Sequence, residues 1–556
     1  MNRLAVADYI VFVCYFVIVA GYGCWIYFRK KAGAASTTEY FLAEGKLTWW
    51  AIGASLIASN ISAEQFIGMS GSGFKMGLAI ASYEWMSALT LIVVAVFFIP
   101  VYLKNKIFTM PQFLSQRYNS TVGLIMAVFW LLLYVVVNLT SILFLGALAI
   151  NSISGLDLTI CMYFLAVFAI VITLGGMKVI GYTDVIQVGF LILGGLATTY
   201  LALDLVANHF GESGILAGFT LMTEQADNHF EMILHRDNPN YFDLPGLSVI
   251  LGGLWIANLN YWGCNQYITQ RALGADLKTA RRGILFAAFL KLLMPLIVVL
   301  PGIAAYVLYQ QGSFRDEMMA DGTLNPDRAY PVLLNLLPAG LKGLSFAALT
   351  AAVVASLAGK ANSIATIFTL DIYKRIGGGK HSEAQLVRVG KWTVVVAMVL
   401  ATIIAPYLGI DKKGGFQYIQ EYTGFVSPGI FAMFILGFFW KGTTSNAALY
   451  ATVGGFIFSV LLKFSPGWID WSVLEPIGFA KRNENGIFEI PFLDRMSIVF
   501  GLCVLGMWLI SIADKRRGIR AKGLAIDQKL FSVDKGFAAG SLLVCGILVA
   551  LYMVFW

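Results

Sequence analysis

The chain has 556 residues, of which 58% are hydrophobic and 13% charged, and its formal net charge is +8. Soluble globular domains are about 45–50% apolar and about 25% charged, so the composition excludes that class. It also excludes disordered, collagen-like and disulfide-scaffold chains. The apolar residues occur in runs of roughly 20, the length at which a helix crosses a bilayer. The composition therefore predicts an all-α protein that spans a lipid bilayer many times.

About fourteen membrane-spanning helices are predicted in chain order. The first is interpreted as a retained span because no small-residue cleavage site follows it, as a signal peptide would require. Each predicted span needs about 20 residues to cross the hydrocarbon core. The predicted spans are 8–28, 47–72, 80–103, 121–150, 156–176, 179–206, 247–270, 283–310, 342–373, 390–408, 416–440, 443–462, 495–513 and 536–556.

Basic residues alternate from loop to loop between these spans. One set of loops contains most of them, including Lys104, Arg117, Arg271 and Arg281, and no arginine is predicted within the membrane. The positive-inside rule assigns this set to the cytoplasm and places both termini outside. Short basic loops form no continuous groove for phosphates, so we expect no nucleic-acid partner. Nothing in the sequence indicates an obligate protein partner.

Two spans contain polar or small residues halfway along their length, in the runs 57–65 and 255–263. Backbone that leaves the helical conformation at this depth must be buried in protein or line a wet cavity. Interruptions at corresponding places in two halves of a chain are the best sequence indication of a transporter's binding site. Both runs are therefore predicted to be breaks in membrane helices, with a binding cavity between them.

Other polar side chains are predicted at a similar depth. Charged groups inside a membrane are costly and by default indicate a functional site or a paired partner. The set combines a carboxylate, amides, a hydroxyl, an ammonium and aromatic rings, which suits the hydroxyls and C–H faces of a neutral hexose. An anionic sugar would favour an arginine, and an amino acid would need partners for both of its charges. The residues are Gln65, Tyr83, Glu84, Ser87, Asn258, Tyr261, Lys291, Phe416 and Gln420.

These residues lie within longer stretches that resemble the sodium/solute symporter family. The resemblance covers essentially the whole chain, and its most specific stretches are ASLIASNISAEQFIGMSGSGFKMGLAIASYEWMSALTLI, GGLWIANLNYWGCNQYITQR, AAFLKLLMPLIVVLPGIAAYV and FQYIQEYTGFVSPGI. It implies a LeuT-type core of two inverted five-helix repeats with two discontinuous helices. It further implies an extra span and cytoplasmic loop in 1–46, repeats in 47–206 and 247–440, a periplasmic loop in 207–246, and three extra spans in 441–556.

The resemblance also implies roles for individual residues. The implied sugar contacts are Gln65, Glu84, Ser87, Asn258, Lys291 and Gln420. Met69, Tyr83 and Phe416 are expected to close the outer side, and Tyr261 to stack under the sugar as the inner gate. The chain departs from the family pattern beside this gate, at Asn260 and Cys264, and neither position is an expected sugar contact.

The implied sodium site is incomplete in this chain. Backbone carbonyls of Ala58, Ile61 and Ala352 and a pair of hydroxyls on the ninth span are expected, but the pair reads Ala355-Ser356, so one hydroxyl is missing. Lys360 follows on the same helix face, since residues four apart are neighbours. Its long side chain leans toward the helix N-terminus and is predicted to point at Ser356.

Three readings of this ion site remain open. Sodium binds through the remaining oxygen ligands; or the Lys360 ammonium replaces it, pairing with Asp184; or Lys360 extends to the cytoplasmic side and has no role. The second reading implies sodium-independent or proton-linked transport, because a buried lysine can release its proton.

The resulting expectation is a secondary active transporter, not an enzyme, which carries galactose or glucose with sodium across a bacterial cytoplasmic membrane by alternating access. The alternatives are the sodium-independent transporter above and a symporter of another small solute. An enzyme would need a carboxylate pair or metal cluster, a sensor an appended signalling domain, and a channel a ring of pore-lining polar groups.

Overall fold

The computed structural model describes residues 4–28, 37–42, 47–320, 322–376, 381–407, 415–483, 486–524 and 526–556. Within these ranges the chain is almost entirely helical. Membrane-buried backbone must satisfy its own hydrogen bonds, and a helix does so within a single segment. The described strands are two short antiparallel hairpins, which join Met319–Ala320 to Thr323–Leu324 and Lys481–Arg482 to Phe488–Glu489.

The first part of the chain forms twelve α-helices within the described residues. Turns of π-helix at Glu64–Met69, Val94–Phe98 and Leu133–Leu139 lead directly into the α-helices that follow them. The helices are α1 Val6–Phe28, α2 Thr37–Leu42, α3 Trp49–Asn60, α4 Ser70–Met76, α5 Ser82–Val93, α6 Ile99–Lys104, α7 Met110–Arg117, α8 Ser120–Leu132, α9 Thr140–Ser154, α10 Leu158–Leu174, α11 Met177–His209 and α12 Ile215–Gln225.

The second part of the described chain forms fourteen more. Some of them begin at a capping side chain: the Asp276 carboxylate, for example, accepts hydrogen bonds from the backbone of Lys278 and Thr279 where α16 begins. They are α13 Leu247–Leu251, α14 Gly253–Cys264, α15 Gln266–Ala272, α16 Leu277–Val298, α17 Leu300–Gln310, α18 Ala329–Leu336, α19 Leu341–Ile367, α20 Lys374–Ile376, α21 Glu383–Ile404, α22 Gly415–Gly424, α23 Ser427–Phe439, α24 Ser445–Phe464, α25 Phe492–Arg516 and α26 Lys535–Val554.

Helix α19 lies at the centre of the bundle. Nearly all of its side chains are buried, and it packs against α3, α11 and α10 among others. Small residues on a neighbouring helix permit close approach: Val353 of α19 lies 2.5 Å from where a Cβ on Gly146 of α9 would stand. Small residues at helix interfaces are typical of membrane bundles, where packing and not the exclusion of water drives association.

The first predicted break is confirmed. Helix α3 ends at Asn60, and Ile61 then adopts an extended conformation with φ −80° and ψ 119°. A bend at Ser62 follows before the helix resumes through the π-helical turn. The Ser62 amide donates to the Gln65 side chain (3.0 Å). In a continuous helix this amide would bond to the Ala58 carbonyl, so the break leaves that carbonyl without its usual donor.

The second predicted break is misplaced. The run 255–263 is continuous helix within α14, and the interruptions flank it at Gly252 and Asn265. The chain bends by 74° at Gly252, and Asn265 is extended with φ −93° and ψ 130°. The polar side chains inside the run have partners on other helices, since Asn260 donates to Ser427 (3.1 Å). The polar residues therefore did not require the backbone to unwind.

The predicted count of fourteen spans is not confirmed. Every predicted range falls on helical segments, but ten described helices are long and apolar enough to cross a membrane, or eleven if the pair bent at Gly252 is one span. Leu158–Leu174 and Ser427–Phe439 are apolar but shorter, and the resumed first broken helix continues into the next predicted span as Glu64–Lys104. The number of spans depends on where turns divide the helices, and hydropathy alone does not show the position of these turns.

Three arginines that were assigned to loops have side chains buried within the protein. Arg117, Arg271 and Arg281 have 0%, 1% and 7% of their surface exposed. Arg117 and Arg281 satisfy carbonyls at helix ends and in the 518–534 segment, and a guanidinium with five donors suits that task. The acceptors for Arg117 are the carbonyls of Gly437, Trp440, Thr443 and Lys522, and those for Arg281 are the carbonyls of Ala95, Leu530 and Ser532.

Candidate functional site

A cavity lies beside the two helix breaks and contains about 1000 Å³ of space free of protein atoms, part of it continuous with open solvent. Its lining comes from α3, α5, α8, α14, α15, α19, α22, α23 and α25 and from the π-helical turns at Glu64–Met69 and Leu133–Leu139. Most of the predicted substrate and gate residues line it: Gln65, Tyr83, Glu84, Ser87, Asn258, Tyr261, Phe416 and Gln420. Met69 and Lys291 are buried outside the described lining of the cavity.

A buried ion pair supports one wall. The Lys291 ammonium, which is fully buried, donates to the Glu84 carboxylate and to the Asn60 side-chain oxygen. It also lies 5.3 Å from the ring centroid of Trp262. Burial of two charges is tolerated when they are paired and hydrogen-bonded. Lys291 therefore stands behind Glu84 and holds that carboxylate toward the cavity.

Ser87 and Asn258, two of the predicted substrate contacts, meet at the cavity wall. The Ser87 hydroxyl lies 2.7 Å from both the Tyr83 carbonyl and the Asn258 side-chain oxygen, but it has only one proton to donate. The Asn258 amide nitrogen has no partner within the described structure. The Asn258 amide can therefore donate a hydrogen bond to a molecule bound in the cavity. Gln65 is also placed there, and its oxygen accepts from the Ser62 backbone and hydroxyl.

Aromatic rings also line the cavity beside these polar side chains. The rings of Tyr83 and Phe416 meet edge to face with centroids 5.2 Å apart. Phe416 packs so closely on Gly68 that an added Cβ there would lie 2.8 Å from the Phe416 backbone nitrogen. The Tyr261 hydroxyl accepts a hydrogen bond from Asn60 (2.9 Å). The two predicted outer-gate rings thus contact one another, and the predicted inner-gate ring contacts the end of α3.

The implied ion site lies where α3 ends against α19. The Ser356 hydroxyl donates to the Ser59 carbonyl (3.1 Å), which joins the two helices. Ala58, Ile61 and Ala352 are buried at the same junction, and the break deprives carbonyls near it of their helical donors. Backbone and hydroxyl oxygens are the ligands that hard cations prefer. The donor set therefore fits sodium chemically, although Ala355 supplies no hydroxyl.

Lys360 points at this junction, as predicted. Its ammonium donates to the Ser356 hydroxyl (3.2 Å) and lies 4.7 Å from the ring centroid of Tyr267. Only 3% of Lys360 is exposed, so the reading in which it extends to the cytoplasm is wrong. Its proposed pairing with Asp184 is also wrong. The Asp184 carboxylate instead accepts from Ser55 and lies 3.8 Å from the Arg271 guanidinium.

Several lining residues were not predicted as part of the site. Asn60 and Glu64 lie within the run that predicted the first break, so that run contained the signal. Asn138 could have been found as a polar residue inside an apolar span. Asn265 lies at the second break, where the extended backbone places it in the cavity lining. No sequence signal indicated Phe492 and Met496, which reach the cavity from α25. The remaining unpredicted polar and aromatic lining includes Trp130, Tyr267, Thr423 and Ser427.

Comparison with known proteins identifies the family. The model of the Sodium:solute symporter family matches residues 40–455, which is most of the chain. The chain belongs to the sodium:solute symporter family. This symporter is therefore a membrane transporter and not an enzyme, and it is a multi-pass membrane protein.

The curated relatives match nearly the full length of the symporter. It is 46% identical to a sodium/glucose cotransporter of Vibrio parahaemolyticus, over 100% of this chain and 99% of the relative. It is 32% identical to the sodium/myo-inositol cotransporter 2 of Oryctolagus cuniculus, over 92% of this chain and 77% of the relative.

Solved structures confirm the fold class of the symporter. A substrate-bound, outward-open sodium-coupled sialic acid symporter superposes with a TM-score of 0.75 at 22% identity, covering 92% of this chain and 98% of that one. An inward-facing structure of Mhp1 gives a TM-score of 0.50 at 15% identity, covering 90% and 100%. The all-α, LeuT-type architecture is thus shown.

Proposed function

We propose that this symporter carries a neutral hexose, galactose or glucose, into the cell by alternating access, with sodium as the coupling ion. The observation that carries the proposal is the cavity at the helix breaks, where a carboxylate, amides and a hydroxyl converge between aromatic rings. Sugar hydroxyls both donate and accept hydrogen bonds, and such a mixed set satisfies both functions. The named solutes of the two curated relatives, glucose and myo-inositol, are neutral polyols.

The sugar is bound, in this proposal, by Glu84, Gln65, Ser87, Asn258 and Gln420. Ser87 and Asn258 already share a contact of 2.7 Å, so they form a fixed acceptor and donor pair. The Glu84 carboxylate accepts hydrogen bonds from sugar hydroxyls, and the Lys291 ammonium balances its negative charge. Lys291 acts through Glu84 and not by direct contact, because no part of it is exposed.

Two gates enclose the bound sugar. Tyr83 and Phe416, already in edge-to-face contact, close the outer side together with the buried Met69. Tyr261 stacks under the sugar and closes the inner side, held by its hydrogen bond from Asn60. Release of the sugar to the cytoplasm then requires Tyr261 to leave this position. Because Tyr261 is hydrogen-bonded to Asn60 at the end of α3, movement of the backbone at the first helix break also moves the inner gate.

Sodium binds, in this proposal, to the carbonyls of Ala58, Ile61 and Ala352 and to the hydroxyl of Ser356. An ion there attaches the end of α3 to α19 and favours one state of the carrier. A ligand shifts such an equilibrium only by its differential affinity for the two states. External sodium therefore drives uptake if it binds the outward-open state more tightly.

The proposal places the two inverted repeats at 47–206 and 247–440, with 1–46 and 441–556 as additional spans and 207–246 as a periplasmic loop. Both termini lie outside the bacterial cytoplasmic membrane, which follows from the excess of basic residues in the opposite loops.

Galactose and glucose counterflow in proteoliposomes tests this function. Wild-type protein should exchange labelled sugar with saturation, and Gln420→Ala should reduce the exchange at least ten-fold while the protein remains folded. Gln225→Ala, the same change on an exposed residue of α12, is the matched control and should stay within two-fold. Unchanged exchange in Gln420→Ala would refute the sugar site. No saturable exchange by the wild type would refute a hexose as solute.

A further inference from the structure

The Lys360 ammonium connects the two helix breaks. Lys360 lies on α19, and its ammonium donates to Ser356, whose hydroxyl donates in turn to the Ser59 carbonyl just before the first break. Its other neighbour, the Tyr267 ring, belongs to α15, which begins directly after the second break at Asn265. A positive charge therefore already lies between the two discontinuous helices, where the proposed function places a sodium ion.

The ammonium and a sodium ion require the same oxygen. The Ser356 hydroxyl uses its only proton on Ser59, so its lone pairs are what remains for a cation. The Lys360 ammonium takes one of them at 3.2 Å. Two unit charges a few ångströms apart repel strongly in a buried site, where water screens them poorly. Sodium can therefore bind at Ser356 only at a cost, or after the ammonium moves away.

The surrounding charges are balanced without sodium. Asp184 already has the Arg271 guanidinium as its counter-charge, at 3.8 Å, and its carboxylate accepts a hydrogen bond from Ser55. Glu64 lines the cavity with Lys360 and attracts it electrostatically. The cluster thus contains two positive and two negative groups among the described residues. An added sodium ion would leave a net positive charge in a buried place.

We propose that Lys360 is an internal competitor of the coupling ion: when sodium is absent its ammonium joins the two helix breaks, so that it weakens sodium binding and permits sugar exchange without sodium. This inference rests on the proposed sodium coupling, because it assumes that the junction of α3 and α19 is the ion site. It concerns the ion alone and assigns no new role to the sugar contacts.

Equilibrium binding of ²²Na⁺ to purified protein tests the competition directly. Lys360→Met should bind sodium at least ten-fold more tightly than the wild type, because it removes the charge and keeps an unbranched side chain. Lys342→Met is the matched control: it removes another buried lysine of α19, about 27 Å away at 1.5 Å per residue, and should change affinity less than two-fold. If Lys360→Met does not fold, Lys360→Gln replaces it.

Counterflow in proteoliposomes provides the second measurement. With choline in place of sodium, the wild type should retain at least half of its sugar exchange rate. The exchange rate of Lys360→Met should fall at least five-fold when choline replaces sodium. Equal sodium affinity in the wild type and the Lys360 variant, or equal dependence of exchange on sodium, overturns the inference. If no protein exchanges hexose, the sugar proposal fails, and the ²²Na⁺ comparison still decides the role of Lys360.

Discussion

Removing the charge of Glu84 should destabilise the protein, and removing Lys291 as well should restore part of the loss. The ammonium of Lys291 is fully buried and has the Glu84 carboxylate as its counter-charge, with Asn60 and the Trp262 ring as its other neighbours. In Glu84→Gln the amide keeps the shape of the side chain and one acceptor. The charge on Lys291 is then left without compensation.

The magnitude follows from the burial and contact of the pair. Two unit charges at about 4 Å interact by about 4 kcal/mol at an effective dielectric constant of about 20. Breaking a buried pair by removing one partner costs about 3–5 kcal/mol, while replacing both partners with uncharged groups is often close to neutral. We therefore expect Glu84→Gln to lose about 3–5 kcal/mol, and the double variant with Lys291→Met to recover at least half of that loss.

The assay is a double-mutant cycle on detergent-purified protein, which compares wild type, both single variants and the double variant. Thermal unfolding followed by size-exclusion chromatography ranks their stabilities, and galactose counterflow reports function. Stability should recover in the double variant while sugar exchange stays lost, because the carboxylate is still absent. A double variant less stable than Glu84→Gln would refute the reasoning, since the ammonium would then contribute more than it costs when unpaired.

Two further changes test the gates. Gly68→Ala should reduce sugar exchange at least ten-fold, because its Cβ would lie 2.8 Å from the Phe416 backbone and displace the outer ring; Gly189→Ala, where no atom lies within 4 Å, is the control, and equal rates in the two variants would contradict this account. Tyr261→Phe should weaken sugar affinity only a few-fold, since one hydrogen bond from Asn60 contributes about 0.5–1.5 kcal/mol, whereas Tyr261→Ala should weaken it at least ten-fold. Equal binding constants for the two Tyr261 variants, measured by equilibrium binding, would exclude ring stacking.

Hydropathy and local polarity predicted the first break correctly because its cause is local. Ser62 and Gln65 are three residues apart, and the side chain of one satisfies the backbone of the other. Such a contact can be inferred from the sequence. The second break was misplaced because its polar residues have distant partners: Asn258 contacts Ser87, and these residues are 171 positions apart.

The position of Arg271 could not be predicted for a related reason. Charge counting assigns an arginine near a span end to a loop, since an unpaired guanidinium inside a membrane is costly. Arg271 is instead buried within the protein, where Ser55 accepts from its Nε at 2.8 Å and Asp184 supplies a counter-charge from α11. The sequence does not show which segments will meet, so the compensation becomes visible only in three dimensions.

Phe492 and Met496 reach the cavity from α25, beyond residue 455 where the shared family pattern ends. Part of the cavity wall thus comes from a helix that lies outside the region matched by the family model. A change in the bulk of these two apolar side chains would reshape the cavity while leaving its polar contacts in place. Substitution on α25 is accordingly a direct route to altered selectivity.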